Sequence, residues 1–190
     1  MKKFICKSNG KSKNGKTFFI LFALMVMAVI VINIYACRLF NSVDNSPVKA
    51  FDINRFLGKW YEIARFDHRF ERGMTHCIAN YDMKEDGSII VTNYGRKDGE
   101  WDTSVGKAKT TVTPGALRVS FFGPFYSDYR VLFLAPDYSY ALIGGSDDSY
   151  LWILSRTPVL EKSVRDSLLL EAARRGYKTE NLIWVDHSAK

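Results

Sequence analysis

The sequence predicts an all-β domain: an eight-stranded antiparallel up-and-down barrel, followed by one C-terminal α-helix and a short final strand. Two observations support this fold class. Apolar residues alternate with a period of two in short pieces that are separated by turn residues, and no helix-length pattern lies between consecutive pieces. Parallel βαβ units are therefore excluded and an antiparallel sheet is favoured. A closed sheet of this size has room for one small ligand.

The eight predicted strands are residues 60–66, 75–83, 88–94, 103–112, 116–122, 129–135, 139–143 and 150–154. Turn residues such as Glu85-Asp86-Gly87 and Pro114-Gly115 separate them. The connection at residues 67–73 is longer and more charged than a hairpin turn requires. It is either a lid over the open end of the barrel or an ordinary solvated loop.

A helix is predicted directly after the last of these strands. Thr157-Pro158 is a start signal, because proline is tolerated in the first turn of a helix. Apolar residues at a spacing of four then share one helical face: Val164, Leu168 and Ala172. Residues 182–185 form the predicted final strand at the edge of the sheet.

The distribution of charge argues against a nucleic-acid partner. The chain of 190 residues has a formal net charge of +7, but six of its lysines lie in residues 1–36, which contain no acidic residue. Residues 37–190 therefore carry 21 basic and 20 acidic residues and are nearly neutral. A folded domain with this balance lacks the basic surface that binds a polyanion.

The N-terminal residues 1–36 are predicted to be a signal peptide or a membrane anchor. Lysines precede an apolar run, residues 17–36, that only Asn33 interrupts. Basic residues stay on the cytoplasmic side, so the rest of the chain is expected across the membrane. The run is also long enough to remain as an uncleaved helix. Residues 37–50 have little periodicity and are a predicted tether, and residues 51–187 are the predicted barrel domain.

The segment Ile34-Tyr35-Ala36-Cys37 resembles a bacterial lipobox, which implies acylation of Cys37 and a lipid anchor. Tyr35 departs from the small or β-branched residue usual at its position. Arg38 is not the aspartate often used for inner-membrane retention, which favours the outer membrane over an inner-membrane anchor facing the periplasm. In the domain only Cys77 remains, so no internal disulfide is possible, and we predict a small buried apolar residue rather than a reactive thiol.

Three segments resemble the signature regions of the lipocalin family, and of its bacterial outer-membrane lipoprotein branch in particular: GKWYEIARFDHRFERG at 58–73, SFFGPFYSDYR at 120–130 and SYLWILSRTP at 149–158. The resemblance covers residues 51–187. It implies structural roles for Gly58, Trp60, Asp128 and Arg156, with the Arg156 guanidinium packed on the Trp60 indole at the closed end of the barrel.

The resemblance also implies a function. Bacterial lipocalins of this type are associated with fatty acids, phospholipids or lysophospholipids, so storage or transport of such a lipid is the expected activity. No cofactor is required. Alternation predicts the positions that face the barrel interior: Ala64, Phe66, Cys77, Ala79, Tyr81, Val91, Asn93, Val105, Leu117, Val119, Phe121, Tyr129, Val131, Phe133, Ala141, Ile143, Tyr150, Trp152 and Leu154.

Seven of these positions are the predicted ligand contacts, because they are large or carry a polar tip that can orient a headgroup or grip an acyl chain: Trp152, Tyr129, Tyr150, Tyr81, Asn93, Phe121 and Phe66. A solid core gives the same alternation, so a structural envelope protein with a filled barrel remains an alternative.

A lipid-modifying envelope enzyme is a further alternative, but we predict no enzyme. His68, His76 and His187 are scattered, and no metal-binding spacing or nucleophile motif occurs. An acid–base pair would have to be assembled in the fold, for example from Glu62 and His68. The sequence leaves the oligomeric state open, a homodimer included.

Overall fold

The computed structural model describes residues 24–32 and 43–188 of the chain. The chain divides into two compact units, Met1–Asn41 and Ser42–Lys190. In the first unit, residues 24–32 form a helix, α1. Within the described ranges, no helix has both the length and the apolar composition needed to cross a membrane. The predicted lipobox with Cys37, and with it most of the predicted signal or anchor segment, lies outside the described residues.

The described part of the second unit is a β-barrel with flanking helices. Its elements in chain order are α2 (Ile53–Phe56), β1 (Gly58–Arg65), β2 (Thr75–Met83), β3 (Ile89–Lys97), β4 (Glu100–Thr110), β5 (Ala116–Phe122), β6 (Phe125–Leu134), β7 (Tyr140–Gly144), β8 (Leu151–Ser155), α3 (Lys162–Arg174), a 3₁₀ turn (Thr179–Asn181) and β9 (Ile183–Trp184).

The sheet closes on itself. Its strand order is β2-β3-β4-β5-β6-β7-β8-β1-β9, and β1 also pairs with β2. All pairings are antiparallel. The predicted fold, with eight barrel strands, one C-terminal helix and an added short strand, is therefore confirmed. The predicted helix start at Thr157-Pro158 is early, since α3 begins at Lys162.

Two β-bulges change which side chains point into the barrel. The register of β1 against β8 shifts between Glu62 and Ala64. A bulge inserts one residue and reverses the alternation beyond it, so Arg65 faces inward instead of Ala64 and Phe66. The inward orientation predicted for Phe66 is therefore wrong: its side chain packs outside the barrel, with its ring 6.3 Å from that of Tyr177.

The second bulge lies in β6, between Val131 and Phe133. It turns Phe133 outward, where its ring stacks on Tyr140. The inward orientation predicted for Val105 is also wrong, because this side chain is 61% exposed. Strand β4 directs small residues into the barrel instead, and Ala108 belongs to the interior cluster. Alternation alone misses them because small residues give a weak apolar signal.

The apolar core has two parts, one on each face of the barrel wall. The interior cluster is centred on Trp60, Tyr81, Val91 and Val131. The outer cluster joins the outward side chains of β1, β7 and β8 to the buried face of α3, where Leu168 lies. Two apolar faces explain why β7 and β8 are almost continuously buried rather than alternating.

The closed end of the barrel is sealed by Trp60 and Arg156. The Arg156 guanidinium lies 3.8 Å from the centre of the Trp60 ring, in the expected stacking contact. Its two Nη atoms donate to backbone carbonyls of α2 and the start of β1, namely those of Arg55, Phe56, Leu57 and Lys59. Gly58 has φ +87°, a conformation that favours glycine and lets the chain turn from α2 into β1 beside this guanidinium.

The segment before α2 packs on the barrel. The Asp44 amide donates to the Arg175 carbonyl, and the Val48 amide donates to the Val131 carbonyl, both at 2.8 Å. The Asn45 side chain donates to the Ser146 carbonyl at the open end. Residues 43–50, the second half of the predicted tether, are therefore fixed to the domain.

Candidate functional site

The barrel interior is lined by apolar and aromatic side chains that are only partly buried. Val91 and Val131 are almost completely buried, as in a filled core. In contrast, several other interior side chains retain accessible surface although they pack against the interior cluster: Ala79, Val119, Phe121, Tyr129 and Trp152. Because these side chains point into the barrel, the surface they expose borders the lumen. Side chains therefore do not fill the barrel interior completely.

The barrel wall has a weak seam between β4 and β5. These strands pair only through residues 107–110 of β4, so residues 100–106 lack a partner on that side. A side chain at Gly106 would have its Cβ 2.8 Å from the Phe121 ring, so glycine lets this ring lie against the β4 backbone.

The lower lumen contains a pair of tyrosines. The Tyr81 hydroxyl donates to the Tyr129 hydroxyl at 2.9 Å, and both rings meet Phe56 edge-on above the Trp60 floor. Burial raises the pKa of both phenols, so they stay neutral at physiological pH. This part of the lumen offers aromatic surface and a hydroxyl pair but no charge.

The loop between β1 and β2, residues 66–74, enters the open end, as expected for a lid. The Glu71 side chain is buried, and its Oε2 accepts a hydrogen bond from the Trp152 Nε1 at 3.3 Å. The His68 ring stacks 4.7 Å from the Tyr150 ring and lies 5.1 Å from the Trp152 ring. Phe70 stacks on the other side of His68. Burial lowers the pKa of His68, which favours the neutral ring.

Beneath the lid lies a buried ion cluster that the sequence did not reveal. Arg65 is 1% exposed and Glu62 is 7% exposed. The Arg65 Nη1 donates to the Glu62 Oε1 at 2.7 Å, and its Nη2 donates to the Glu71 carbonyl at 2.6 Å and the Met74 carbonyl at 3.1 Å. Burial, together with the nearby Glu71 carboxylate, raises the pKa of Glu62 to about 8. Burial also raises the pKa of Glu71.

The seven predicted ligand contacts separate into two groups. Five face the lumen: Trp152 near the lid, Tyr81 and Tyr129 near the floor, and Asn93 and Phe121 on the walls. The Asn93 Oδ1 is buried and has no hydrogen-bond partner among the described residues. Tyr150 precedes β8 and stacks beside the lid, and Phe66 lies in the outer cluster. The signature residue Asp128 forms ion pairs on the outer surface with Arg118 and Arg130.

The structure does not join Glu62 to His68, the candidate pair for acid–base catalysis. Glu62 is bound to Arg65, whereas His68 is held in the ring stack, and no hydrogen bond or ion pair joins Glu62 to His68 in the described part of the chain. Across the same residues, no group of three or more His, Cys, Asp or Glu side chains has the geometry to hold a metal ion.

Two grooves lie on the outside of the barrel. One, of about 450 Å³, is bordered by Phe66, Asp148 and Lys178 beneath the end of α3. The other, of about 410 Å³, lies on the outer face of β1–β4 beside Tyr94 and Trp101. Both are open to solvent and lack the convergent, buried polar groups found under the lid.

Known proteins are similar to this chain in sequence and in fold. The family model of the lipocalin-like domain matches residues 51–187. The chain is 49% identical over 142 residues to the outer membrane lipoprotein Blc of Escherichia coli K12, covering 73% of this chain and 80% of the relative. It is 46% identical over 144 residues to the lipoprotein of the same name from Vibrio cholerae, covering 73% of this chain and 84% of the relative.

Among solved structures, insecticyanin from the tobacco hornworm Manduca sexta superimposes with a TM-score of 0.63 at 28% sequence identity, over 75% of this chain and 84% of that one. The matched residues span all eight barrel strands, the sealed floor and the helix α3. The chain belongs to the lipocalin family, in its bacterial lipocalin branch.

Proposed function

We propose that this protein is an envelope lipocalin that binds a lipid in its barrel for storage or transport. The observation that carries the proposal is the accessible surface of interior side chains such as Val119, Phe121 and Trp152. Lining of this composition matches a hydrocarbon chain better than a polar metabolite. Enclosing the chain removes apolar surface from water at about 25 cal/mol per Å², which offsets the cost of association.

The proposed ligands share a long acyl chain: a fatty acid, a phospholipid or a lysophospholipid. We propose that the chain lies along Phe121 and Asn93 and ends near Tyr81 and Tyr129, with Trp152 at the upper end. The distribution of groups in the lumen supports this arrangement, because the charged groups cluster below the lid and the uncharged aromatic groups lie near the Trp60 floor. Neither Tyr150 nor Phe66 is proposed as a contact of the acyl chain, since Tyr150 stacks on His68 of the lid and Phe66 lies in the outer cluster.

We further propose that Cys37 is acylated and anchors the protein at the outer membrane. The relatives from E. coli and V. cholerae are named outer membrane lipoproteins, which supports this address. Growth of cells with a radioactive fatty acid tests the anchor. The full chain is expected to carry the label and the Cys37→Ser variant to lack it, whereas equal labelling of both would reject acylation at this residue.

Native mass spectrometry of the full chain, extracted in a neutral detergent, tests lipid binding. A co-purified mass that corresponds to an acyl lipid, and stoichiometric uptake of added palmitate after delipidation, are the expected results. A clean apo mass that rejects added palmitate and lysophospholipid would instead favour a structural protein with a filled barrel. Glu62 is bound to Arg65 and His68 lies in the ring stack, so the two do not form an acid–base pair, and we propose binding rather than turnover.

A further inference from the structure

One atom of the buried ion cluster lacks a hydrogen bond. The Arg65 Nε is buried and has no hydrogen-bond acceptor among the described residues. Its nearest acidic oxygen, the Glu71 Oε2, lies 4.0 Å away, within the range of an ion pair but beyond a hydrogen bond. A buried donor without an acceptor costs about 1–3 kcal/mol, more for a charged group. The Arg65 Nε is therefore a donor that an anionic oxygen can satisfy once the Glu71 side chain moves aside.

Of the two carboxyl groups near Arg65, only one can leave easily. Glu62 is on β1, inside the barrel wall, and it receives a direct hydrogen bond from Arg65 at 2.7 Å. Glu71 is on the lid loop, and its carboxylate contacts the lumen wall only through the Trp152 Nε1 at 3.3 Å and the distant Arg65 Nε. Rotation of the Glu71 side chain, with the Arg65 hydrogen bonds to the Glu71 and Met74 carbonyls kept, would free the Trp152 Nε1 and leave the Arg65 Nε to another acceptor.

The charges of the cluster favour the exchange of one anion for another. The cluster contains one guanidinium and two carboxyl groups, all shielded from solvent. Burial raises the pKa of both Glu62 and Glu71, which favours a single negative charge on the pair beside the Arg65 guanidinium. Loss of the Glu71 carboxylate alone would leave the buried Arg65 Nε without a nearby acidic oxygen, which is unfavourable. A ligand with one negative charge restores the balance, whereas a neutral or cationic ligand does not.

We propose that Arg65 is the headgroup site of the lumen, at which the carboxylate or phosphate of an anionic lipid replaces the Glu71 carboxylate. The ligand oxygens accept from the Arg65 Nε and the Trp152 Nε1, and the acyl chain runs down toward Tyr81 and Tyr129. In the ligand-free protein, the Glu71 carboxylate therefore occupies the position that the ligand anion takes. This inference rests on the proposed function, since it requires that the lumen bind an acyl chain at all.

The test compares ligands with equal chains and different headgroups. The delipidated full chain, in a neutral detergent at neutral pH, is titrated with palmitate, palmitoyl lysophosphatidate, hexadecanol and hexadecyltrimethylammonium, and occupancy is measured by native mass spectrometry. Charge-assisted hydrogen bonds contribute about 1.5–3 kcal/mol, so we expect at least one of the two anions to bind about tenfold or more tightly than hexadecanol. Tight binding of palmitate alone identifies a carboxylate, and tight binding of the lysophosphatidate alone identifies a phosphate.

Glu71→Gln tests the exchange while leaving Arg65 in place. Glutamine keeps an oxygen for the Trp152 donor but removes the competing charge, so the variant is expected to bind the preferred anion several-fold more tightly and hexadecanol unchanged. The matched control is Glu85→Gln, the same substitution at an exposed turn between β2 and β3. Equal binding of the anions and hexadecanol, with no effect of Glu71→Gln, would overturn the headgroup site but leave lipid binding intact. Rejection of all four ligands would overturn the proposed function as well.

Discussion

The Trp152 indole donates a hydrogen bond to the Glu71 carboxylate across 3.3 Å, and this bond joins the wall of the barrel to the loop over its open end. The two residues are far apart in sequence and belong to different hairpins. The same loop is held by the backbone carbonyls of Glu71 and Met74, which accept from Arg65. The closed lid therefore depends on a small number of polar contacts with lumen side chains.

Replacement of Trp152 by phenylalanine is expected to loosen the lid. The ring surface is largely kept, but the donor to Glu71 is lost, at a cost of about 1 kcal/mol or about fivefold in the opening equilibrium. Amide hydrogen exchange of residues 67–74 should accelerate by this factor, while exchange in β7 stays unchanged. Trp101→Phe is the matched control, because Trp101 is 59% exposed on the outer face. Unaltered exchange of the lid in Trp152→Phe would show that this bond does not hold the loop.

Arg156→Gln is expected to destabilise the whole domain. The guanidinium stacks on Trp60 and donates to several carbonyls at the closed end, and loss of these contacts should lower the free energy of unfolding by about 3 kcal/mol. Urea denaturation followed by tryptophan fluorescence measures the change. Arg69→Gln, at an exposed arginine of the lid, is the control and should shift the midpoint little. Equal midpoints for the two variants would argue against a sealing role for Arg156.

The pH dependence of stability should reveal the buried Glu62. Its pKa is raised from 4.5 to about 8 in the folded state by burial, so the folded protein holds a proton there that the unfolded chain releases. The contribution of Glu62 to the free energy of unfolding is fully present below pH 4.5 and is lost as the pH rises toward 8. Glu62→Gln mimics the protonated carboxyl and keeps an acceptor for Arg65.

We therefore expect Glu62→Gln to be more stable than the wild type at pH 8, by more than about 1 kcal/mol. Near pH 4.5 the two proteins should have similar stability. Thermal melts across the range provide the measurement, with Glu85→Gln as the exposed control. A wild type that gains stability relative to Glu62→Gln as the pH rises would mean that the Arg65 ion pair, rather than burial, dominates at this site.

Cys77 is expected to resist thiol reagents while the protein is folded. The side chain is buried beside Gly95 and the Arg65 guanidinium, and burial raises the pKa of its thiol to about 12. Only the thiolate reacts at an appreciable rate, so alkylation at neutral pH should be slow. Peptide mapping after iodoacetamide treatment should show modification of Cys77 only in denaturant. Rapid labelling in buffer alone would indicate that the upper lumen opens to solvent far more often than the lid contacts imply.

Much of the barrel was predictable from the sequence, because its turns and alternation are local signals. The strands and the C-terminal helix follow from residue types and spacing, whereas the structural role of Trp60 was implied by the resemblance to lipocalins. The bulge between Glu62 and Ala64 has no local signal of this kind. It depends on pairing between β1 and β8, and it reverses the orientation of Phe66 and Arg65. Alternation therefore predicted an uncharged lumen and missed its buried arginine.

The candidate site was only partly predictable for a related reason. Trp152 and Tyr129 face the lumen as expected, since β8 and the first half of β6 alternate regularly. Glu71 lies in a charged loop, and no sequence pattern indicates that its side chain is buried. The clustering of Glu62, Arg65 and Glu71 arises from folding of the loop back over the strand that precedes it. One signal was available in the sequence: Glu62 and Arg65 are charged residues inside a predicted strand whose other residues are apolar or aromatic, which indicates a buried ion pair.

Lipid uptake by two matched variants tests most directly whether the lumen is the binding site. Val119→Trp adds a large ring inside the barrel, whereas Val105→Trp makes the same substitution on the outer face, where the side chain is 61% exposed. Binding of palmitate and palmitoyl lysophosphatidate to the full chain is measured by native mass spectrometry, with thermal melts as the check on folding. We expect Val119→Trp to lose about tenfold or more in affinity because the ring occupies the volume of the acyl chain, and Val105→Trp to bind as the wild type does. Wild-type affinity in a folded Val119→Trp protein would contradict lipid binding in the lumen.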